Sequence, residues 1–337
     1  MALDCCCVFF TQEKILKYRI THYIVLLAAV VILNFFLPRM LPGSPIAQLA
    51  GEEVGSMTQS ERDRILSAYD LDKPLTVQFF TYIRNIVTLD WGISFSKKQP
   101  ITDLLKAAIP WTLLLVGCNL ILSTILGTFL GALSAALRKK KKDMKLMLLV
   151  ILCSSLPAFW IGMIFISVFS VGLGWFPVYG AYSMFSGLEG WAYAKDVFGH
   201  LVLPVTTMTI VSISVFFTTS RYSVLETIHQ DYVFMAKVRG IPKKRVRFCY
   251  MMRNALIPVF TVFMMELGSV LSGSVVIESV FAYPGLGNLL YNAVLSRDYP
   301  LMQYGFLVSS FMVIAASLLT DILYSRIDPR MVNENEE

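Results

Sequence analysis

The sequence is poor in charge. Asp, Glu, Lys and Arg make up 15% of its 337 residues, against about 25% in a soluble globular chain. A chain so short of polar cover cannot present a water-facing surface along its whole length. Histidine is scarcer still. His22, His200 and His229 are scattered along the sequence, with no spacing that would ligate a metal. There is no GxxxxGK(S/T) run, which excludes ATP binding through that phosphate-cradling loop, and there is no CxxC pair. The six cysteines, Cys5, Cys6, Cys7, Cys118, Cys153 and Cys249, all fall outside the segments read below as external, so no external disulfide framework is available. Cys5–Cys7 read as a frayed terminus, with lipidation or metal binding as the alternative. An enzyme reading is left without residues to assign.

What the chain does have is apolar length. Hydrophobic residues make up 56% of it, with a mean hydropathy of +0.63, and they fall in long runs. A membrane crossing needs about 20 mostly apolar residues. Six segments qualify: Ile20–Leu37, Trp111–Leu137, Met144–Val171 with a kink expected at Pro157, Leu201–Thr219, Ala255–Ile277 and Leu301–Tyr324. The expected fold is an all-α polytopic membrane bundle of six spans with a helical external insertion after the first. The divisions are residues 1–19 as amino terminus, 20–37 as first span, 38–110 as external insertion, 111–324 as a five-span core and 325–337 as tail. The amino terminus reads as an uncleaved anchor, because Pro38-Arg39-Met40 offers no small-x-small cleavage site.

Charge placement sets the orientation. Nineteen of the 29 basic residues fall on one side of a six-span chain, including Arg138–Lys142, Lys145 and the run from Arg221 to Arg253. The short loops on the other side, Gly172–His200 and Glu278–Pro300, hold only Lys195 and Arg297. Both termini are expected in the cytoplasm. Basic charges that flank spans, without forming one face, also argue against nucleic acid. In the external insertion, Thr58-Gln-Ser-Glu61 has the form of a capping box. Pro74 can start a helix carrying Leu75, Phe79, Ile83 and Ile86 on one face.

The stretch Asp231–Pro258, most of it in the expected cytoplasmic loop over 221–254, is the most informative. Asp231–Arg239 suits a short helix, Gly240 can take the left-handed conformation that stops it, and Pro242 can occupy the first position of the next helix. Two short helices joined by Gly-Ile-Pro make an elbow that can be pushed as a unit. A positive-inside loop lying on lipid headgroups is the alternative, and spacing alone does not separate the two.

This segment resembles the EAA loop of the inner-membrane permease subunits of binding-protein-dependent ABC importers. Met235-Ala236, three residues and then Gly240 is similar to the family's Ala-Ala-x-x-x-Gly core. Phe234 replaces the usual Glu, and Asp231-Tyr232-Val233 resembles the oligopeptide, dipeptide and nickel branch. So do LPGSP at Leu41–Pro45, YDLDKPLTVQF at Tyr69–Phe79, DWGISF at Asp90–Phe95, PAFWIGM at Pro157–Met163 and LGWFPVYG at Leu173–Gly180. VVIESVFAYPGLGNLL at Val275–Leu290, RDYPLMQ at Arg297–Gln303 and DILYSRIDPR at Asp321–Arg330 complete the ordered set.

The resemblance implies one half of a translocation pathway in a bacterial plasma membrane. The implied partners are a homologous second permease, two cytoplasmic ATPase subunits that bind ATP and Mg, and an external substrate-binding protein; this chain would bind no cofactor itself. Asp231, Tyr232, Ala236, Lys237, Arg239, Gly240, Pro242 and Lys243 are the implied ATPase-coupling residues. Peptide is the first cargo reading, nickel or a metal chelate of the opine type the second. An autonomous secondary transporter or a membrane scaffold is the alternative of a different class.

Within the spans, Glu266 is costly to bury and is the first candidate for the substrate pathway, meeting a cationic group of the solute or a metal. A carboxyl satisfied by a neighbouring helix is the alternative. Asn119 and Asn34 are further polar candidates, against plain interhelical bonding. Asp321 reads as a helix-end anchor. Gly127-x-x-x-Gly131 allows close helix approach, with packing inside the same bundle preferred to packing on a partner. The Val275–Gly287 stretch, which ends in Tyr283-Pro284-Gly285-Leu286-Gly287, reads as a tight external turn, either a docking ledge or a turn and nothing more.

Overall fold

The computed structural model describes residues 21–36, 39–40, 58, 60, 73–138 and 141–327, with 247–248, 268–273 and 324–327 described by backbone alone. Among them the secondary structure is helical, apart from a single antiparallel bridge between Ile93 and Pro100. The helices are α1 (Thr21–Phe36), α2 (Leu75–Thr88), α3 (Ile101–Ala136), α4 (Lys141–Ser154), α5 (Ala158–Phe165), α6 (Gly190–Thr227), α7 (Asp231–Val238), α8 (Arg253–Val280), α9 (Leu286–Leu295) and α10 (Tyr299–Ile327). A π-helical segment, Ile166–Gly172, continues α5. A short turn, Lys243–Arg245, and a second π-helical segment, Val246–Met252, lead into α8.

Among the described residues, four helical stretches are long and apolar enough to cross a membrane: Ile101–Ala136, Gly190–Thr227, Lys243–Leu267 and Tyr299–Leu323. The third expected span is a bent pair, Lys141–Ser154 and Ala158–Gly172, turned by 93°. The first is the shorter apolar helix α1. The bend falls at Pro157, which caps α5 with φ −59° and ψ 133°. Such an extended residue cannot continue the helix before it.

The helices overrun the expected spans, and the reason is local. Pro110 was expected to close the external segment, yet it lies inside α3. That helix starts instead after Pro100, with Asp103 in its first turn, where the helix dipole favours an acid. The expected loop Gly172–His200 is helical in its last part, because α6 begins at Gly190. There Ser183 donates from its backbone N to Asp196 Oδ2 at 2.6 Å and from Oγ to Asp196 Oδ1 at 2.8 Å. The stretch read as the loop Glu278–Pro300 contains α9.

The described chain divides into two units. The first draws on the residues up to Pro110 and on Asn288–Leu318. In it, α2 begins at Leu75, with Pro74, expected at the first helical position, extended one residue before it at φ −54° and ψ 145°; its buried face centres on Tyr82, while Leu75 and Ile83 are exposed. Tyr82 packs near the Phe35 and Tyr304 rings, and Trp91 stacks on Tyr304. Burial raises the Tyr82 phenol above its ordinary pKa. Asp298 accepts from the Ser96 backbone N at 2.9 Å and from Ser96 Oγ at 2.8 Å. It also caps α10 by accepting from the Leu301 N–H at 3.2 Å. Glu61, and with it the expected capping box, lies outside the described residues.

The second unit draws on Trp111–Gly287 and Leu319–Pro329. Its core gathers Leu115, Leu120, Leu203, Met208, Phe216, Val259, Ile277, Phe281 and Tyr283. The helix α6 is its central column, packed on α4, α5 and α8. Gly127 and Gly131 let α3 approach α6. A Cβ on Gly127 would stand 2.6 Å from Phe216 Cβ, and one on Gly131 2.9 Å from Ser220 Cβ. The glycine pair thus packs inside its own bundle.

Candidate functional site

The elbow between α6 and α8 is built from its termini inward. Gln230 precedes α7 in extended conformation, and its carbonyl accepts from Val233 and Phe234. Asp231 lies in the first turn and Lys237 in the last, each where the helix dipole favours its sign. The far end closes as a Schellman motif. Gly240 sits at φ +69°, its N–H donates to Lys237 O at 3.0 Å, and the Ile241 N–H donates to Ala236 O at 3.2 Å. Pro242 takes the position before the next helical turn, at φ −52° and ψ 136°. That is one residue earlier than expected, because its extended ψ ends the loop before Lys243 begins the turn.

The elbow has a small core of its own. Val233, Ala236 and Val246 are buried together, with Ile241, Tyr250 and Met251 packed against them. Ala236 is therefore an internal packing residue and offers nothing to solvent. Asp231, Tyr232, Lys237, Arg239, Gly240, Pro242 and Lys243 are exposed. So are three apolar side chains left out of the sequence-based set: Phe234 at 63%, Met235 at 50% and Val238 at 66%. Phe234 and Val238 stand four residues apart, hence on one side of α7. The result is a short helix with basic and apolar groups outward, held by a hydrophobic centre and a glycine stop. The departure of Phe234 from the family pattern was the available signal.

The intramembrane candidates lie on four different helices. Asn119, on α3, is fully buried, and its Oδ1 accepts from Thr209 Oγ1 of α6 at 3.3 Å. Its Nδ2 has no partner among the described residues. Glu266 is half-buried on α8. Asn34 is buried on α1. Asp321 is half-buried on α10, next to Thr320, which donates to Met264 O of α8 at 2.8 Å. Among the described residues no group of three or more His, Cys, Asp or Glu side chains is placed to hold a metal ion.

Sequence reasoning missed Glu278, placing it in a loop. It is 0% exposed near the end of α8. Thr112 Oγ1 donates to its Oε1 at 2.8 Å, and the Leu286 N–H donates to Thr112 Oγ1 at 2.7 Å. A Cβ on Gly287 would come within 2.9 Å of Glu278 Oε2, and one on Gly285 would be closer still. The Tyr283–Gly287 turn is thus folded onto a carboxyl. Two motif stretches meet it, since the Gly180 N–H donates to Phe281 O at 2.9 Å and Gly162 abuts the Phe281 ring.

Residues 127–333 match the family described as binding-protein-dependent transport system inner membrane component. The chain belongs to that family. It is similar to the oligopeptide transport system permease protein AppB of Bacillus subtilis (strain 168), at 33% identity over 91% of this chain and 95% of that protein. The di/tripeptide transport system permease protein DppB of Pseudomonas aeruginosa (strain UCBPP-PA14) is 33% identical over 90% and 94%. The glutathione transport system permease protein GsiC of Escherichia coli (strain K12) is 34% identical over 92% and 96%. The chain is thus a multi-pass transport permease of the ABC importer kind, and the elbow lies within the matched residues.

Proposed function

We propose that this chain forms half of the pathway by which an ATP-driven importer carries peptides into a bacterial cell, and that α7 docks on a cytoplasmic ATPase. The observation that carries the docking is the outward apolar side of α7, Phe234 and Val238, set on a helix stiffened by its own core and by the Gly240 stop. The buried centre and the Gly240 stop make α7 one body that moves as a unit with whatever grips it. The peptide cargo is supported by the names of the relatives, which are permeases of oligopeptide, di/tripeptide and glutathione transport systems.

Coupling requires that the ATP state favour two conformations of the permease unequally, because a ligand shifts an equilibrium only through differential affinity. In the reading proposed, closure of the ATPase pair moves α7, and α7 moves the bundle through α6 and α8, the helices on either side of it. ATP and Mg belong to the ATPases. A homologous permease supplies the other half of the pathway, and an external binding protein delivers cargo. Both termini lie in the cytoplasm. Glu266 is the proposed pathway group; Asn119, fully buried between α3 and α6, takes the interhelical role.

The test is purification and reconstitution. The chain co-purifies with a second permease and two ATPase subunits, and in proteoliposomes peptides with the cognate binding protein stimulate ATP hydrolysis and uptake. Uptake by this chain alone would overturn the reading. Stimulation by nickel or a metal chelate, and not by peptides, would overturn the cargo.

A further inference from the structure

The basic run after α3, read from sequence as a topology signal, contains one acid, Asp143. It does not face its own neighbours. Lys141, Lys142 and Lys145 are exposed, whereas Asp143 is buried in the first turn of α4. Its partner comes from another helix. Arg221, in the last turns of α6, donates from Nη2 to Asp143 Oδ2 at 2.9 Å and from Nε to Asp143 Oδ1 at 3.3 Å. The same Nε donates to Ser134 Oγ at 3.0 Å. Ser134, fully buried near the end of α3, donates from Oγ to Asp143 Oδ1. Three helix ends therefore meet in one closed triangle of polar contacts, all within the second unit.

An ion pair taken out of water gains little net stability, because desolvation offsets the attraction. What it does impose is geometry. The planar guanidinium fork reads both carboxylate oxygens at once, so sliding or rotation of α6 against α4 breaks the contact abruptly. The helix that carries Arg221 is also the one that leads into α7.

We propose that Asp143 and Arg221 are positioning residues for coupling. Their pair locks the α6 end to the ends of α3 and α4, so that displacement of the elbow is passed to those helices and not absorbed by α6 alone. This rests on the reading of α7 as the ATPase dock.

The test uses the assembled importer, with both permeases, the ATPases and the binding protein, in proteoliposomes. Three quantities are measured: ATPase subunits retained, ATP hydrolysed, and peptide taken up per ATP. Asp143→Asn and Arg221→Gln keep the ATPase subunits and hydrolysis, while uptake per ATP falls by about tenfold, within the span usual for coupling between sites. Arg221→Lys, which keeps the charge but not the fork, falls between. The double variant Asp143→Asn with Arg221→Gln guards against misfolding, because it leaves no orphan buried charge. It is as stable as the wild type yet stays poorly coupled. Recovery of full uptake per ATP in that double variant, or unchanged uptake per ATP in both single variants, overturns the proposal and leaves the docking reading intact. A wild-type complex with no ATP-driven uptake removes the docking reading, and this proposal with it.

Discussion

The backbone N–H of Ile241 reaches back over Gly240 to the carbonyl of Ala236, at 3.2 Å. The bond depends on Gly240 holding φ +69°. A Cβ at Gly240 would meet nothing within 4 Å, so the cost of Gly240→Ala is conformational, about 1–2 kcal/mol for a left-handed L-residue. Gly240→Val costs more, since a β-branched side chain tolerates that region worse. Uptake in reconstituted vesicles should fall in the order Gly, Ala, Val. Equal uptake by the Val variant would show that the glycine stop has no part in transport.

The outward side of α7 gives a second expectation. Phe234→Ala and Val238→Ala should each weaken ATPase retention in detergent by about 1–3 kcal/mol of binding, the range of interface anchors. Neither should lower the thermal midpoint of the permease, because both side chains are exposed. Val233→Ala, by contrast, opens the elbow core and should lower that midpoint. Full retention of ATPase by a Phe234→Ala, Val238→Ala double variant is the contrary result.

At the α3–α6 contact, Gly127→Ala drives a methyl toward Phe216 Cβ and the Ile213 carbonyl, 2.6 and 2.9 Å from its ideal position. Overpacking of this kind costs about 1–3 kcal/mol, and larger residues cost more. Thermal unfolding of the purified protein should show it, with Gly117→Ala as the control, since a Cβ there meets nothing within 4 Å.

Glu278→Ala leaves the Thr112 hydroxyl without its buried acceptor. The expected loss is about 1–3 kcal/mol, again read as a lower unfolding midpoint. Thr112→Val should cost at least as much, because it takes the donor from the buried Glu278 carboxyl and the acceptor from the Leu286 N–H. A Glu278→Ala variant as stable as the wild type would mean that the turn after α8 is held by other contacts.

Glu266→Gln tests the pathway assignment. If its carboxyl meets the solute, uptake should fall or cargo preference should shift, with ATPase retention unchanged. Full-rate transport with the same preference would return Glu266 to a packing role.

The elbow was legible because its signals are local. An acid at the helix start, a glycine stop and a proline two residues later each act within a few residues, and the backbone bonds of Gly240 and Ile241 follow from them. The spans were legible for the same reason, as apolar length is a property of a window. Glu278, Asp143 and Asp298 were not legible. Each is satisfied by residues far away in sequence, Thr112, Arg221 and Ser96, and nothing near the acid announces the partner. Helix ends failed in a third way. Pro110 and His200 were the expected boundaries, but α3 starts at Ile101 and α6 at Gly190, where local turns and caps set the helix ends.

The 93° turn at Pro157 bears on how the chain enters the bilayer. Read linearly, Met144–Val171 is one greasy stretch, and insertion machinery that senses average apolarity would thread it as a single rod. In the finished fold it is two arms, and the backbone groups at the corner need partners that acyl chains do not provide. Packing of α6 and α8 against α5 shields that corner, so the segment cannot serve as one straight crossing of the bilayer.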